Sequence, residues 1–414
     1  MEKTLDSPLT AWYDTNQRKA MKKKLGSVLL VLVMGTFLFA AGDWRYVFWN
    51  LDQHPEIVSG FLPTQIGMGA GWDGLHLIPD RRTEIQALVG GGYYQRKMWQ
   101  NPTNGLPLEQ REEDDPLIYD VMEYEWRLRF SQGFLPSNVQ GKDLWTVYAG
   151  YDGFFTRTMD SMVTEQTRSN NGSHPVWSVS DWFAAYGISD ELDNGYYTDM
   201  GDTLFSVFFA GIKWDRMEDE LTTQDGIYSD LRVEYAPLAL NSALDGRADY
   251  YSITSNTVAG KTLYQLKDSK DKNLFSIVVV DRLHFNWTDG SAVPMKAQKT
   301  ITLGRVVRGF NSFSYNYQFT SVNNFDVRFC GPEPWLKGLL PRVNVFFDIG
   351  YGCGNYLNTS VWGDQLLSSA GVQVTVSFFD FIDLGLQYAY LFKGTNFVHY
   401  GDNLVMSVTF FLDF

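Results

Sequence analysis

Charged side chains recur at every second position along stretches of this 414-residue chain. Glu123, Glu125, Arg127 and Arg129 alternate with Met122, Tyr124, Trp126, Leu128 and Phe130. Arg232 and Glu234 alternate with Leu231, Val233 and Tyr235, and Arg282 and His284 lie opposite Leu283 and Phe285. Carboxylates and guanidiniums in such rows can pair with one another. They do not supply a nucleophile with its base, or two acids poised for proton transfer. A row of opposed charges faces a dry core only at high cost; it suits a water-filled interior where neighbouring strands supply counter-charges. No Gly-x-Ser-x-Gly elbow occurs, and the five His show no metal-ligand spacing. The chain is therefore read as a non-enzyme, with no catalytic residue, no metal ligand and no cofactor.

These rows need strands to position them, and the alternation supplies them. Leu404, Met406, Val408, Phe410, Leu412 and Phe414 share one face of a closing strand. Ile382 to Phe392, Val372 to Phe378 and Val343 to Tyr351 repeat the pattern. The strands run about 9 to 13 residues, the length of a tilted membrane-crossing strand. Hydrophobic residues make up 44% and mean hydropathy is −0.21, too polar for a helical membrane protein but compatible with strands that show lipid one face only. The 16% aromatic content suits girdles at two bilayer interfaces. The expected fold is all-β: a closed antiparallel transmembrane β-barrel of sixteen strands, or fourteen, over residues 63–414. A large soluble β-fold is the competing reading. The net charge of −14 argues against a nucleic-acid partner. By strand parity Cys330 faces the interior and Cys353 the outside, at opposite ends of one hairpin, so no disulfide is expected.

The N-terminus reads as an address. Lys22, Lys23 and Lys24 precede an apolar stretch from Leu25 to Ala41, and Ala40-Ala41-Gly42 offers a cleavage site. Residues 1–42 are assigned to an N-terminal extension and a cleaved signal peptide, and 43–62 to a short periplasmic segment. A membrane-anchoring helix is the alternative. The first strand is placed near Thr64. Its glycine-rich start, Gln65 to Gly71, makes a weak ladder, and if it pairs with residues 403–414 the barrel seam would be the weakest ladder.

One segment breaks the alternation. Leu303-Gly304-Arg305-Val306-Val307-Arg308-Gly309-Phe310 lies in a long connection, roughly 288–322. Asp348 falls on the interior face of its strand, where a carboxylate needs a partner. An inward-folded loop would let Arg308 reach it with fork-like hydrogen bonds, Gly309 permitting close backbone approach and Phe310 wedging among interior side chains. Val307-Arg308-Gly309-Phe310 resembles the V-R-G-F/Y loop tip of the BamA/TamA superfamily of bacterial surface antigens. Phe346-Phe347-Asp348-Ile349-Gly350 is similar to its F-x-D-x-G motif and Ser369-Ala370-Gly371 to its S-x-G entry, in the same order, with the closing aromatic strand after them. The resemblance covers about residues 225–414. It implies a loop lock made by Val307, Arg308, Gly309, Phe310, Asp348 and Gly350, and an insertion signal carried by Val408, Phe410, Leu412 and Phe414. Glu123, Glu125, Arg127 and Arg129 are expected to form a charged row in the lumen.

By that resemblance the chain is a barrel-only member of a Gram-negative outer membrane, because the stretch before the first strand is too short for POTRA domains. It would assist protein or lipid assembly and translocation (protein transport), with outer-membrane lipids around it and a separate periplasmic POTRA-bearing or accessory protein as partner. Self-association into a homo-oligomer stays open. A passive pore or small-solute or fatty-acid transporter is one alternative, and a structural surface antigen another.

Overall fold

The computed structural model describes residues 44–49, 65–72, 75, 77–98, 117–139, 142–160, 196–197, 201–219, 222–244, 246–294, 297, 307–309, 318–332, 339–354, 365–378, 382–392 and 404–410. The strands are β1 (Trp44–Trp49), β2 (Gln65–Trp72), β3 (Thr83–Met98), β4 (Leu117–Pro136), β5 (Asp143–Asp160), β6 (Tyr196–Tyr197), β7 (Gly201–Asp215) and β8 (Glu218–Asp219). They continue as β9 (Gln224–Ala236), β10 (Asp249–Lys267), β11 (Asn273–Pro294), β12 (Phe319–Cys330), β13 (Leu339–Cys353), β14 (Gln365–Phe378), β15 (Ile382–Phe392) and β16 (Leu404–Phe410). A short helix, α1 (Leu238–Ala243), separates β9 from β10.

The long strands form one antiparallel sheet in chain order, from β1 through β5, then β7, then β9 to β16. The two-residue strands β6 and β8 stand off this path, on β11 and β9. Among the described residues no ladder joins β1 to β16. Successive strands pair up and down, so the connections alternate between two rims. One rim has the short ones, such as 137–142 and 268–272; the other has the long ones, such as 161–200 and 295–318. That asymmetry is usual in outer-membrane barrels.

The two faces of the sheet are inverted relative to a soluble protein. The sheltered face carries Glu123, Asp152, Asn286, Asn324, Asp326 and Asp348. The exposed face carries Leu128, Leu231, Val233, Val345, Phe347, Val372 and Leu386. Burying polar groups and exposing apolar ones fails in water but satisfies both sides of a membrane wall. Aromatic residues on the exposed face gather towards each rim. Trp145 stacks on Trp214 and Phe275 on Phe329 near the short-loop rim, while Tyr251–Trp287, Phe285–Phe319 and Phe319–Tyr351 meet towards the other.

The apolar core is small and lies near the long-loop rim of the sheltered face. Phe154, Phe205, Val207, Ala236, Ala248, Tyr250, Val293 and Ala297 pack there. α1 helps to close it. Pro237 halts the β9 ladder, and a Leu- and Ala-rich turn follows. The β7–β9 ladder begins only at Phe208–Tyr235, which leaves the edge of Ser206 open. The buried Asn241 side chain completes that edge as a peptide group would. Its oxygen accepts from the Ser206 N–H at 2.7 Å, and its amide donates to the carbonyls of Ser206 at 3.2 Å and Ala248 at 2.9 Å.

Several expectations are corrected. β2 pairs with β1 and β3, and the glycine-rich strand is not the edge facing β16. The run Trp44 to Trp49 lies within the segment assigned to a lead-in, yet it is aromatic and β-branched, as strands prefer. The long connection is shorter than the alternation suggests, because β11 continues to Pro294 and β12 starts at Phe319. Residues 1–42, expected to hold a signal peptide, lie outside the described residues.

Candidate functional site

β12, β13 and β14 build the site from their sheltered faces. Asp348 on β13 sits opposite Asn324 of β12 and Ser369 of β14. Asp326 lies one step along β12, opposite Phe346. Both carboxylates are inaccessible to solvent, Asp348 at 0% and Asp326 at 1% exposure.

Arg308 comes to them from the connection between β11 and β12. Its Nε donates to Asp348 Oδ2 at 2.8 Å and its Nη2 to Asp348 Oδ1 at 2.6 Å, a fork-on-fork pair. The same Nη2 donates to Asp326 Oδ1 at 2.7 Å, and the Arg308 backbone N–H donates to Asp348 Oδ2 at 2.9 Å. That backbone bond seats the chain itself against the sheet. Gly309 follows with φ of 91°, a conformation that favours glycine, so the loop can turn directly after its anchor. Val307 on the other side is fully buried.

An aromatic floor completes the seat. The Arg308 guanidinium carbon lies 3.8 Å from the centroid of the Phe346 ring, within cation–π range. Phe346 can lie flat because Gly371 is opposite it. A Cβ at Gly371 would strike the tip of the Phe346 ring and the Tyr388 carbonyl. Glycine, ring, guanidinium and two carboxylates therefore form one stack. Asp326 is shared further: Arg282 Nη1 donates to it at 2.8 Å, and Arg328 lies 3.6 Å away while also donating to Gln224 at 3.0 Å.

The structure thus brings Val307, Arg308, Gly309, Asp348 and Gly350 to the sheltered face. Phe310 lies outside the described residues. Sequence reasoning placed Arg282 in a charged row without joining it to this site, and did not single out Asp326 or the Phe346–Gly371 floor. Their signals were weak: Asp326 shares strand parity with Arg328, while the ring-on-glycine contact depends on the β13–β14 register.

A second charged cluster occupies the sheltered faces of β4, β5, β7 and β9. Arg127 grips Asp152 with Nε at 2.6 Å and Nη2 at 3.0 Å, and Arg232 reaches the same carboxylate at 2.7 Å. Glu125 and Glu234 flank them, 3.4 Å from Arg127 and 2.7 Å from Arg232. Here too an aromatic ring is the floor, with Arg232 4.0 Å above Phe209, whose ring lies over Gly150. Arg129 stacks 4.2 Å over Tyr148, whose hydroxyl donates to Asp230 at 2.6 Å. Glu123 and Glu125 thus share the sheltered wall with Arg127 and Arg129. Asp152 and Arg232 are the members that the row in β4 alone could not reveal.

The remaining sequence-derived positions are simpler. The β15–β16 register sets Val408 opposite Leu384 and Phe410 opposite Ile382; Leu412 and Phe414 lie outside the described residues. Cys330 is buried opposite Arg342, and Cys353 stands opposite Phe319, so the hairpin register holds the two at its opposite ends.

No family model matches the chain. No curated protein matches it either. Among solved structures it is similar to BamA from Haemophilus ducreyi lacking POTRA domains 1–3, at 12% identity over 89% of this chain and 70% of that one, with a TM-score of 0.41.

Proposed function

We propose that this chain is an outer-membrane β-barrel of the BamA/TamA kind, which helps insert or translocate proteins or lipids and keeps one loop locked inside its lumen. The observation that carries the reading is the Arg308 seat. A loop arginine spends its fork on two buried carboxylates of the polar wall, within a sheet whose other face is apolar. In this reading the sheet closes, the polar face lines the lumen and the apolar face meets lipid. The Val307–Phe310 tip resembles the loop of that superfamily, and its buried anchors give the resemblance a physical basis. Export by a cleaved signal peptide and a separate periplasmic partner that recognises clients belong to the same proposal, as does the absence of enzymatic chemistry.

A seated loop and an apolar core near the long-loop rim both occupy space that a passive pore would leave to water. The closed-lumen reading is therefore preferred to the pore. Quantitative outer-membrane proteomics of a deletion strain tests it. Loss of other barrel proteins or of lipid asymmetry is expected. An unchanged outer membrane, together with stable single-channel conductance of the purified protein, would replace this reading with the pore.

A further inference from the structure

The apolar wall carries a charged interruption on β11. The exposed-face column of β11 reads Phe275, Ile277, Val279, Asp281, Leu283, Phe285 and Trp287. Phe275 belongs to the aromatic set near one rim, and Phe285 and Trp287 to the set near the other. Asp281 therefore sits between the two girdles, at the depth of the hydrocarbon, and it is exposed. A carboxylate facing lipid tails loses its hydration without replacement.

Its surroundings are polar on one side. Asn323 of β12 donates to Asp281 at 2.6 Å. On β10, Lys261 stands opposite Val279, one row from Asp281, and Ala259 stands opposite Asp281 itself. Lys261 bonds Asp225 at 2.8 Å, yet its side chain is 72% exposed. Ser229 and Thr257 share a hydrogen bond of 2.9 Å on the same face. A polar band thus crosses β9 to β12. Among the described residues no cation lies within ion-pair distance of Asp281.

We infer that this band is the contact surface for a second copy of the chain, in which the Lys261 ammonium of each copy bridges its own Asp225 and the other copy's Asp281. The inference rests on the outer-membrane reading above. Two copies inserted in the same direction are related by a two-fold axis along the membrane normal, which keeps every residue at its own depth. Such an axis between β10 and β11 sets the β10 of one copy against the β11 of the other. Lys261 and Asp281 sit on these neighbouring strands one row apart, an offset that a four-carbon lysine stem can span. Both members of the pair lie on a single surface, so the contact is self-complementary. Tyr264, Leu283 and Phe325 flank the band and give the interface apolar area. Polar groups on a lipid-facing surface commonly hold membrane segments together in this way.

The test uses full-length protein in native membranes and in detergent. Chains labelled with light and heavy nitrogen are mixed and treated with a zero-length carbodiimide, which joins an amine to a carboxylate only when they touch. Peptides linking Lys261 of one isotope to Asp281 of the other are expected, together with a two-chain mass for the folded protein. Asp281→Leu and Lys261→Met are each expected to raise the dimer dissociation constant at least about tenfold, while folded barrel remains in the membrane fraction. A single-chain mass for membrane-inserted wild type would overturn the inference alone. So would a dimer that both variants leave intact, or Asp281 cross-linked to a different protein. Wild type that fails to enter the membrane would overturn the functional reading instead.

Discussion

Replacing Arg308 by Ala removes three side-chain hydrogen bonds and the cation above Phe346. The loss is unequal between the two acids. Asp326 keeps Arg282 at 2.8 Å and Arg328 at 3.6 Å. Asp348 keeps only the backbone N–H of residue 308 among the bonds described for it, and it is fully buried. Stranding a buried charge costs about 3–5 kcal/mol, and the guanidinium is partly exposed, so the lower half of that range applies. An opening of the loop should therefore become roughly a hundred- to a thousandfold more frequent. Hydrogen exchange of peptides spanning 307–309 reads this directly. Protection is expected to fall by that factor in Arg308→Ala and in Asp348→Ala, and by clearly less in Asp326→Asn, where the Arg308 fork on Asp348 remains. Arg308→Lys keeps the charge without the fork and should fall between. Protection within threefold of wild type in both Arg308→Ala and Asp348→Ala would refute the lock.

Gly371→Val should cost about 1–3 kcal/mol by overpacking, visible as a lowered midpoint of heat-modifiable unfolding. The same substitution in a Phe346→Ala background should cost less, because the ring it strikes is gone. Asn241→Leu leaves the Ser206 peptide unpaired, costing about 1–3 kcal/mol, and the Ser206 amide should exchange measurably faster. Asp152→Ala removes the carboxylate that Arg127 and Arg232 share at 2.6 and 2.7 Å, whereas Glu125→Ala removes a longer contact of 3.4 Å with Arg127. Chemical denaturation should therefore rank Asp152→Ala as the more damaging.

Much of this was legible where the physics is local. Strict alternation in β12 to β15 shows because each strand meets water on one side and apolar surroundings on the other, which leaves a period of two. Arg308 and Asp348 stood out because an inward carboxylate demands a partner and the break at Leu303 to Phe310 offers one. What stayed hidden depends on register. Asp152 pairs with Arg127 only once β4 and β5 are aligned, and Phe346 meets Gly371 only through β13 and β14. Asn241 gave no periodic signal, since a single side chain replaces a ladder. β1 was passed over because its six residues follow an export pattern and precede a segment without alternation.

The proposed function requires the apolar face of the sheet to meet lipid. Photolabelling in native outer membranes with a lipid-borne carbene precursor, read by residue-level mass spectrometry, measures that face. Label is expected on Leu231, Val233, Val345 and Phe347 and not on Arg232, Glu234, Asn344 or Asp348. Equal labelling of both sets, or none on either, would contradict a membrane wall and return the chain to a soluble β-fold.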